Sequence, residues 1–568
     1  GRGRGSGEPR LCQRLCPPMK QMRSAILAAC FCAGISAGCG PVSPQCDADL
    51  VLVNATVYTV DQSSSVANSV AIKGDRIVAV GDNLESECRS VAELDLDGAF
   101  VYPGFTDSHV HLLEVGYREV TLDLRDAASL KQAMDMVQAR VQKNPPGEWI
   151  EGVGWIEKYW PENRFATIRD LDPVSPHHPV LLRRSDGHTI LVNSKALQLA
   201  GIDRDTPNPK NGIIQREPDG SPNGILIDSA VSMVTAIMPD KSAVEDKKAL
   251  ELALRRNVRL GWTQTQNAGG NFHELGLLGE LESEGKLLHR LYYALDEEAS
   301  IDRLLDEGPL SDPDHYLTVR AIKVFADGAL GSRGASLHES YADDNSTGLL
   351  FYSQPQIMPT LVAALAKGIQ VETHAIGDRA NTVVLDWYET AFHQVPPDDR
   401  PVAAPRWRIE HVQVIRPEDQ DRLKALDVIP SMQPSHAIGD LFFAPTRLGP
   451  ERVKNAYVWR GLIDRGLIIA GGTDAPVEVG DPRIEIYAAV ARKDMNGYSN
   501  EDWHVEQAVS RETALKMFTI WPAYAAHQED IRGSIEVGKL ADFTVFDSDL
   551  MTMPADEILS ATVVMLSL

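Results

Sequence analysis

The chain has 568 residues, which at roughly 150 residues per domain exceeds any peptide, small disulfide scaffold or lone binding module. Its 80 acidic and 55 basic residues give a formal charge of −25, and 43% hydrophobic with 24% charged residues describes a folded globule, not a disordered or collagenous chain. That field repels phosphate backbones and no lysine or arginine stripe counters it locally, so no nucleic-acid partner is expected.

In chain order, residues 1–46 read as a leader. Six of the seven cysteines, Cys12, Cys16, Cys30, Cys32, Cys39 and Cys46, fall there, and only Cys88 lies beyond. The body is therefore nearly free of thiol, which argues against cysteine catalysis and against a cysteine-rich zinc module. Met19, Lys20 and Arg23 precede an apolar run over 25–37, too short to span a bilayer but of the length of a secretory signal. Export is expected. The closing Ser36-Ala37-Gly38-Cys39 resembles the lipobox of bacterial lipoproteins, although a large aliphatic residue usually stands where Ser36 does. Periplasmic release and membrane anchoring through a lipidated Cys39 both stay open. Residues 1–18 lack an initial methionine, carry a Gly-Arg repeat and read as upstream sequence.

Short alternating runs over 49–60, 69–80 and 91–101, broken by Gly74 and by Asp97-Gly98, predict a small β-sheet over 47–101. A similar run at 542–547 predicts a second part over 529–568, so that both chain ends build one β-sandwich. Between them, over 102–528, strand-like runs alternate with helical ones: 321–325, 370–374 after 359–367, 407–414 after 381–393, and 467–473 after 452–465. Repeated βα units over more than 250 residues predict an α/β fold with a closed, distorted (β/α)8 TIM barrel. Extra length at about 114–241, rich in Gly, Pro and Trp, predicts an insertion over the barrel mouth.

The sharpest local signal is Phe105-Thr106-Asp107-Ser108-His109-Val110-His111, an apolar strand ending in two histidines one residue apart. On a strand, positions i and i+2 face the same way, so both imidazoles can reach one metal ion. Lys323, His374, His411 and Asp474 each stand at or near the end of a later predicted strand, where barrel enzymes assemble their sites.

With Ser185-Asp186-Gly187-His188, His374-Ala375-Ile376-Gly377-Asp378, Gln433-Pro434-Ser435-His436 and Thr473-Asp474-Ala475-Pro476, these motifs in this order resemble the amidohydrolase superfamily of metal-dependent hydrolases. The nearest branch is the amidohydrolase 3, or YtcJ-like, family, over about residues 48–560. The resemblance implies one or two divalent ions, with zinc the first candidate. His109, His111 and Asp474 would hold one ion, and His374 and His411 a second. Lys323 as an ammonium repels cations and has no lone pair, so it could bind metal only in another form; the resemblance implies a carbamate bridging both ions, formed by carbon dioxide on the neutral amine that burial favours, the alternative being an ordinary lysine paired with Asp327 or Glu372.

The expected reaction is hydrolysis of a non-peptide amide C–N bond in a small-molecule substrate by metal-activated hydroxide. Asp474 would move the proton, and His188 and His436 would bind the oxyanion. Cyclic amide hydrolysis, deamination, phosphotriesterase-like activity and a non-catalytic binding role are the alternatives. Gly377 stands where nucleobase deaminases of the superfamily place a glutamate, which disfavours deamination. Arg333 and Arg379 could orient an anionic group or pair with Asp327 and Asp378. Glu410, next to His411, is expected on the opposite face of its strand, and so to support a ligand rather than to act in catalysis. His177 and His178 read as loop residues. Gln266 and Asn267 replace a His-Asp pair common in relatives, and the end of the chain at Leu568 predicts an incomplete sandwich. Oligomeric state stays open, with a homodimer as the candidate.

Overall fold

The computed structural model describes residues 46–157, 160–184, 189–210, 212–500 and 503–567. Cys39 and His188 lie outside the described residues. Eight parallel strands form the centre: β1 (Phe105–Val110), β2 (Trp262–Ala268), β3 (Arg290–Leu295), β4 (Leu317–Phe325), β5 (Gln370–Ala375), β6 (Arg408–His411), β7 (Ile429–Met432) and β8 (Ala470–Gly471). They pair in that sequence, with β1 beside β2 at one end and β8 beside β7 at the other. The ring closes just past β8, where the Asp474 amide donates to His109 O at 2.7 Å and the His111 amide to Ala475 O at 2.8 Å. The expected distorted barrel is thus present, and its closure draws Asp474 beside the two histidines of β1.

Local chemistry sets the helices around it. Helix α1 (Leu112–Val120) follows β1, and α2 (Ala243–Leu260) precedes β2. Ser242 and Glu245 form a capping box at the start of α2, and Gly261 ends it at φ 101°, a left-handed conformation that glycine adopts without a Cβ clash. The two helices approach so closely that a Cβ on Gly116 would come within 2.0 Å of Ala249 O.

The chain ends do build a sandwich. One sheet orders the strands Arg76–Gly81, Ser69–Lys73, Cys46–Val53 and Cys88–Asp95. The other contains Phe543–Phe546 antiparallel to Phe100–Pro103, with Val545 opposite Val101. Val57, Val70, Val101, Phe543 and Val545 are buried between them. Val563–Ser567 forms a strand antiparallel to Phe543–Phe546, as suits its β-branched start. Cys46 and Cys88 form a disulfide across paired strands. Between α1 and α2 the chain forms a separate six-stranded sheet, from Leu122–Asp123 to Pro222–Asp228, around Trp155, Trp160 and Leu182.

Candidate metal centre

The ends of the barrel strands bring the residues of interest to one cavity of about 370 Å3. Asp474 is at its centre: Oδ1 lies 3.1 Å from His111 Nε2 and 3.4 Å from His109 Nε2, and Oδ2 lies 3.4 Å from His436 Nε2. Among the described residues, two groups have donor atoms within 4.8 Å of one another, His109–His111–Asp474 and His411–His436–Asp474. Lys323 Nζ lies 3.2 Å from His109 Nε2. His374 stands beside the second group, its ring centre 4.6 Å from that of His411, and its Nε2 is buried without a hydrogen-bond partner. His436, expected only as an oxyanion donor, stands as near Asp474 as His109 does, at 3.4 Å.

Three of the imidazoles are held from behind. His109 Nδ1 meets Glu410 Oε2 at 2.5 Å, both side chains being fully buried. His411 Nδ1 meets Gln433 Oε1 at 2.8 Å, and Gln413 Nε2 meets His436 Nδ1 at 3.0 Å. Ring nitrogens anchored this way turn their Nε2 atoms toward the cavity. Glu410 corrects the reading of its strand. His411 and Val412 adopt φ values of 76° and 44°, which break the alternation of β6, so Glu410 and His411 both reach the same cluster. Asp474 itself has φ 57°. Non-glycine residues in this region are strained and persist where their surroundings hold them.

Further contacts stiffen the loops. Asp107 accepts from the Thr473 amide at 2.9 Å and its hydroxyl at 2.6 Å, locking β1 to the residue before Asp474. Glu485 accepts from the Ser435 amide at 2.9 Å, next to His436. Asn267 Oδ1 accepts from the Leu112 amide at 2.7 Å, so β2 keeps a polar hold on the segment after His111. Asp327 does not pair with Arg333. It accepts the amides of Ser336, Ile376 and Gly377 at 2.8–2.9 Å, while Arg333 binds Asp343 and Arg379 is exposed outside the cavity lining. His177 and His178 lie in a loop, as expected, and His178 is also buried, with Nε2 3.0 Å from Pro145 O.

Burial sets the electrostatics. It pushes His109 and His411 well below the ordinary imidazole range and His374 down to about 3, assisted by Lys323 near His109 and His374. These rings are therefore neutral and carry lone pairs, the form that ligates metal. Burial also lowers the Lys323 amine, against the pull of Glu410 and Asp474. It opposes ionisation of Asp474, yet His109, His111 and His436 hold that carboxyl well below its usual value. Burial likewise opposes charge on His436, but Asp474 raises it to about 9.

A metal ion fits this donor set: neutral imidazoles and one carboxylate converge, and the buried His374 Nε2 has no hydrogen-bond partner among the described residues, with Asp327 Oδ1 3.5 Å away. Comparison with known proteins agrees. A model of the amidohydrolase family matches residues 92–566. The YtcJ protein of Bacillus subtilis is 33% identical over 508 residues, covering 87% of this chain and 93% of that one. An N-substituted formamide deformylase of Arthrobacter pascens is 29% identical over 527 residues, covering 88% and 94%. A solved metal-dependent hydrolase from Pyrococcus furiosus superposes with a TM-score of 0.72 at 29% identity, over 89% of this chain and all of that one.

Proposed function

The chain belongs to the amidohydrolase family of metal-dependent hydrolases, and from that premise we propose that it cleaves a non-peptide amide C–N bond of a small molecule. The observation that carries this reading is the Asp474 carboxylate, set between His109, His111 and His436 at the cavity floor. The similarity to an N-substituted formamide deformylase supports N-acyl and N-formyl amines as the bond type.

His109, His111, His374, His411 and Asp474 would hold the metal, and zinc suits imidazole and carboxylate donors. When bound, such an ion supplies Lewis acidity and a water-derived nucleophile at neutral pH. Asp474, kept as a carboxylate, takes a proton on Oδ2 from the attacking water and returns it to the departing nitrogen. His436 Nδ1 lies 3.0 Å from the Gln413 side-chain amide, and Asp474 favours the protonated ring, so its Nε2–H can donate to the oxyanion that develops on the substrate. For Lys323 the reading is a carbamate: carbon dioxide bonds to the neutral Nζ, one proton leaves, and an anionic oxygen donor results. The support is its complete burial and its place against His109.

For cellular location the reading is export, with either periplasmic release or anchoring through Cys39. The Cys46–Cys88 disulfide supports it, because such bonds persist in oxidising compartments. Fractionation of the source cells, with a shift from membrane to soluble fraction in Cys39→Ala, tests the anchor; an unchanged distribution removes it.

The function is tested by elemental analysis of purified protein and a panel of N-formyl and N-acetyl amines beside paraoxon-type esters, cyclic amides and nucleobases. Metal-dependent release of amine is expected. Folded protein that carries no metal and does not respond to zinc, or that turns over only the phosphotriesters, refutes the reading.

A further inference from the structure

Beneath the metal centre the barrel interior is polar, and one arginine ties several strands together there. Lys323 on β4, Glu372 on β5 and Arg408 on β6 stand in register, and His374 and Glu410 pair one step nearer the rim. Paired residues on neighbouring strands project to one side, and residues i and i+2 share a face. Lys323 lines the cavity, so Glu372 and Arg408 face the barrel interior as well, with Arg408 below Glu410. The Arg408 side chain is fully buried. Its Nη1 donates to Gln266 Oε1 on β2, the opposite strand, at 2.5 Å and lies 3.4 Å from Glu372 Oε1. Its guanidinium carbon stands 5.4 Å from the ring centre of Tyr292 on β3. Nε and Nη2 have no hydrogen-bond partner among the described residues, so Gln266 and Glu372 are the polar contacts that place the group.

That placement matters because β6 is short and carries two residues of the centre. The strand spans four residues, Arg408–His411, and it leaves extended geometry at its end, where His411 and Val412 have φ values of 76° and 44°. Such conformations persist where the surroundings over-determine them, and no strand ladder continues past His411 to do so. Arg408 anchors the other end of the strand twice. Its guanidinium holds it from inside the barrel, and the Tyr388 hydroxyl donates to Arg408 O at 2.8 Å. Two residues on, Glu410 meets His109 Nδ1, and the next residue, His411, meets Gln433. Charge adds to the geometry: Glu372 is a buried carboxylate, and such an anion is costly without a cation beside it, which Arg408 supplies.

We propose that Arg408 is a positioning residue of the metal centre: bridging Gln266 and Glu372 under the cluster, it holds β6 so that Glu410 aligns His109 and His411 faces the cavity. The role rests on the metal-dependent reading of the site for its purpose, but the alignment itself can be read without metal.

Proton NMR of the metal-free protein reads the Glu410–His109 contact as a far-downfield imidazole N–H resonance, assigned by its loss in Glu410→Gln. Arg408→Met is expected to shift or abolish that resonance, Arg408→Lys to restore it in part, and Gln266→Leu, which leaves Glu372 in place, to shift it less. Arg290→Met is the control, because Arg290 is equally buried and ion-paired, with Asp542, at the start of β3. It should lower the thermal midpoint and leave the resonance unmoved. Chelator competition with cobalt(II) follows: Arg408→Met should bind about ten-fold more weakly or worse, with a changed visible ligand-field spectrum, while Arg290→Met keeps both. An unmoved resonance or unaltered cobalt affinity in folded Arg408→Met, or equal changes in Arg290→Met, overturns the proposal. If Arg408→Met does not fold, Gln266→Leu decides by the same criteria. If the parent binds no cobalt while the resonance still responds to Arg408, the metal-centre reading fails and the alignment of His109 through Arg408 stands.

Discussion

Replacing Glu410 tests how the centre is built, because this carboxylate touches His109 and lines no part of the cavity. Its Oε2 lies 2.5 Å from His109 Nδ1 with both side chains fully buried, so no solvent can replace it. Glutamine preserves volume and an acceptor but loses the charge. A hydrogen bond to a charged partner contributes about 1.5–3 kcal/mol against about 0.5–1.5 for a neutral one, so the change amounts to about 1 kcal/mol. Alanine strands the Nδ1–H in a dry site, which costs about 1–3 kcal/mol and frees the ring to rotate. At about 1.4 kcal/mol per decade, Glu410→Gln should weaken metal affinity about five-fold and Glu410→Ala about 10–100-fold. Chelator competition on purified protein reads the affinity, and a thermal melt of the metal-free form checks the fold. Folded Glu410→Ala with unaltered metal affinity would refute the claim that Glu410 aligns His109.

Three further substitutions probe other links. Asp474→Asn keeps shape but accepts no proton, and kcat should fall by about 10²–10⁴-fold with the circular dichroism spectrum unchanged; undiminished turnover sinks the proton-transfer role. Gly472→Ala places a Cβ 2.6 Å from His109 N where β8 meets β1, and should cost about 1–3 kcal/mol in urea unfolding; a neutral effect would mean that the closure is loose. Burial raises the Glu274 carboxyl from 4.5 to about 7, although the Tyr293 hydroxyl donates to it. The native state then binds the proton more tightly than the unfolded one, so this group's stabilisation is full below about pH 4.5 and is lost as pH rises through about 7. Relative to the parent, Glu274→Gln should gain up to about 3 kcal/mol in urea stability between pH 4.5 and pH 8, and a pH-independent difference would contradict the shift.

Much of this arrangement is visible in the chain before any coordinates. The β1 histidines obey strand alternation, and Lys323, His374 and His411 each end a run of strand-forming residues, so a parallel barrel must deliver them to one rim. What escapes that logic has physical causes. Alternation assumes extended backbone, and β6 abandons it at His411 with φ 76°, which is how Glu410 and His411 come to serve one cluster. Side-chain pairing across hundreds of residues has no local signature. Arg333 pairs with Asp343, whereas Asp327 accepts three backbone amides that come from two separate loops. Gln413 and Gln433 look like ordinary polar residues in the sequence, yet they set which nitrogen of His436 and His411 faces the substrate. The same argument bears on substrate choice. Metal chemistry needs the residues that strand ends bring together, whereas Asp440 and Glu478 belong to the segments beyond β7 and β8, whose course depends on contacts such as Arg118 with Glu478 O and Tyr457 with Asp440. Loop segments of this kind can change without disturbing the barrel. A family that shares the centre can therefore differ in what it cleaves through such segments.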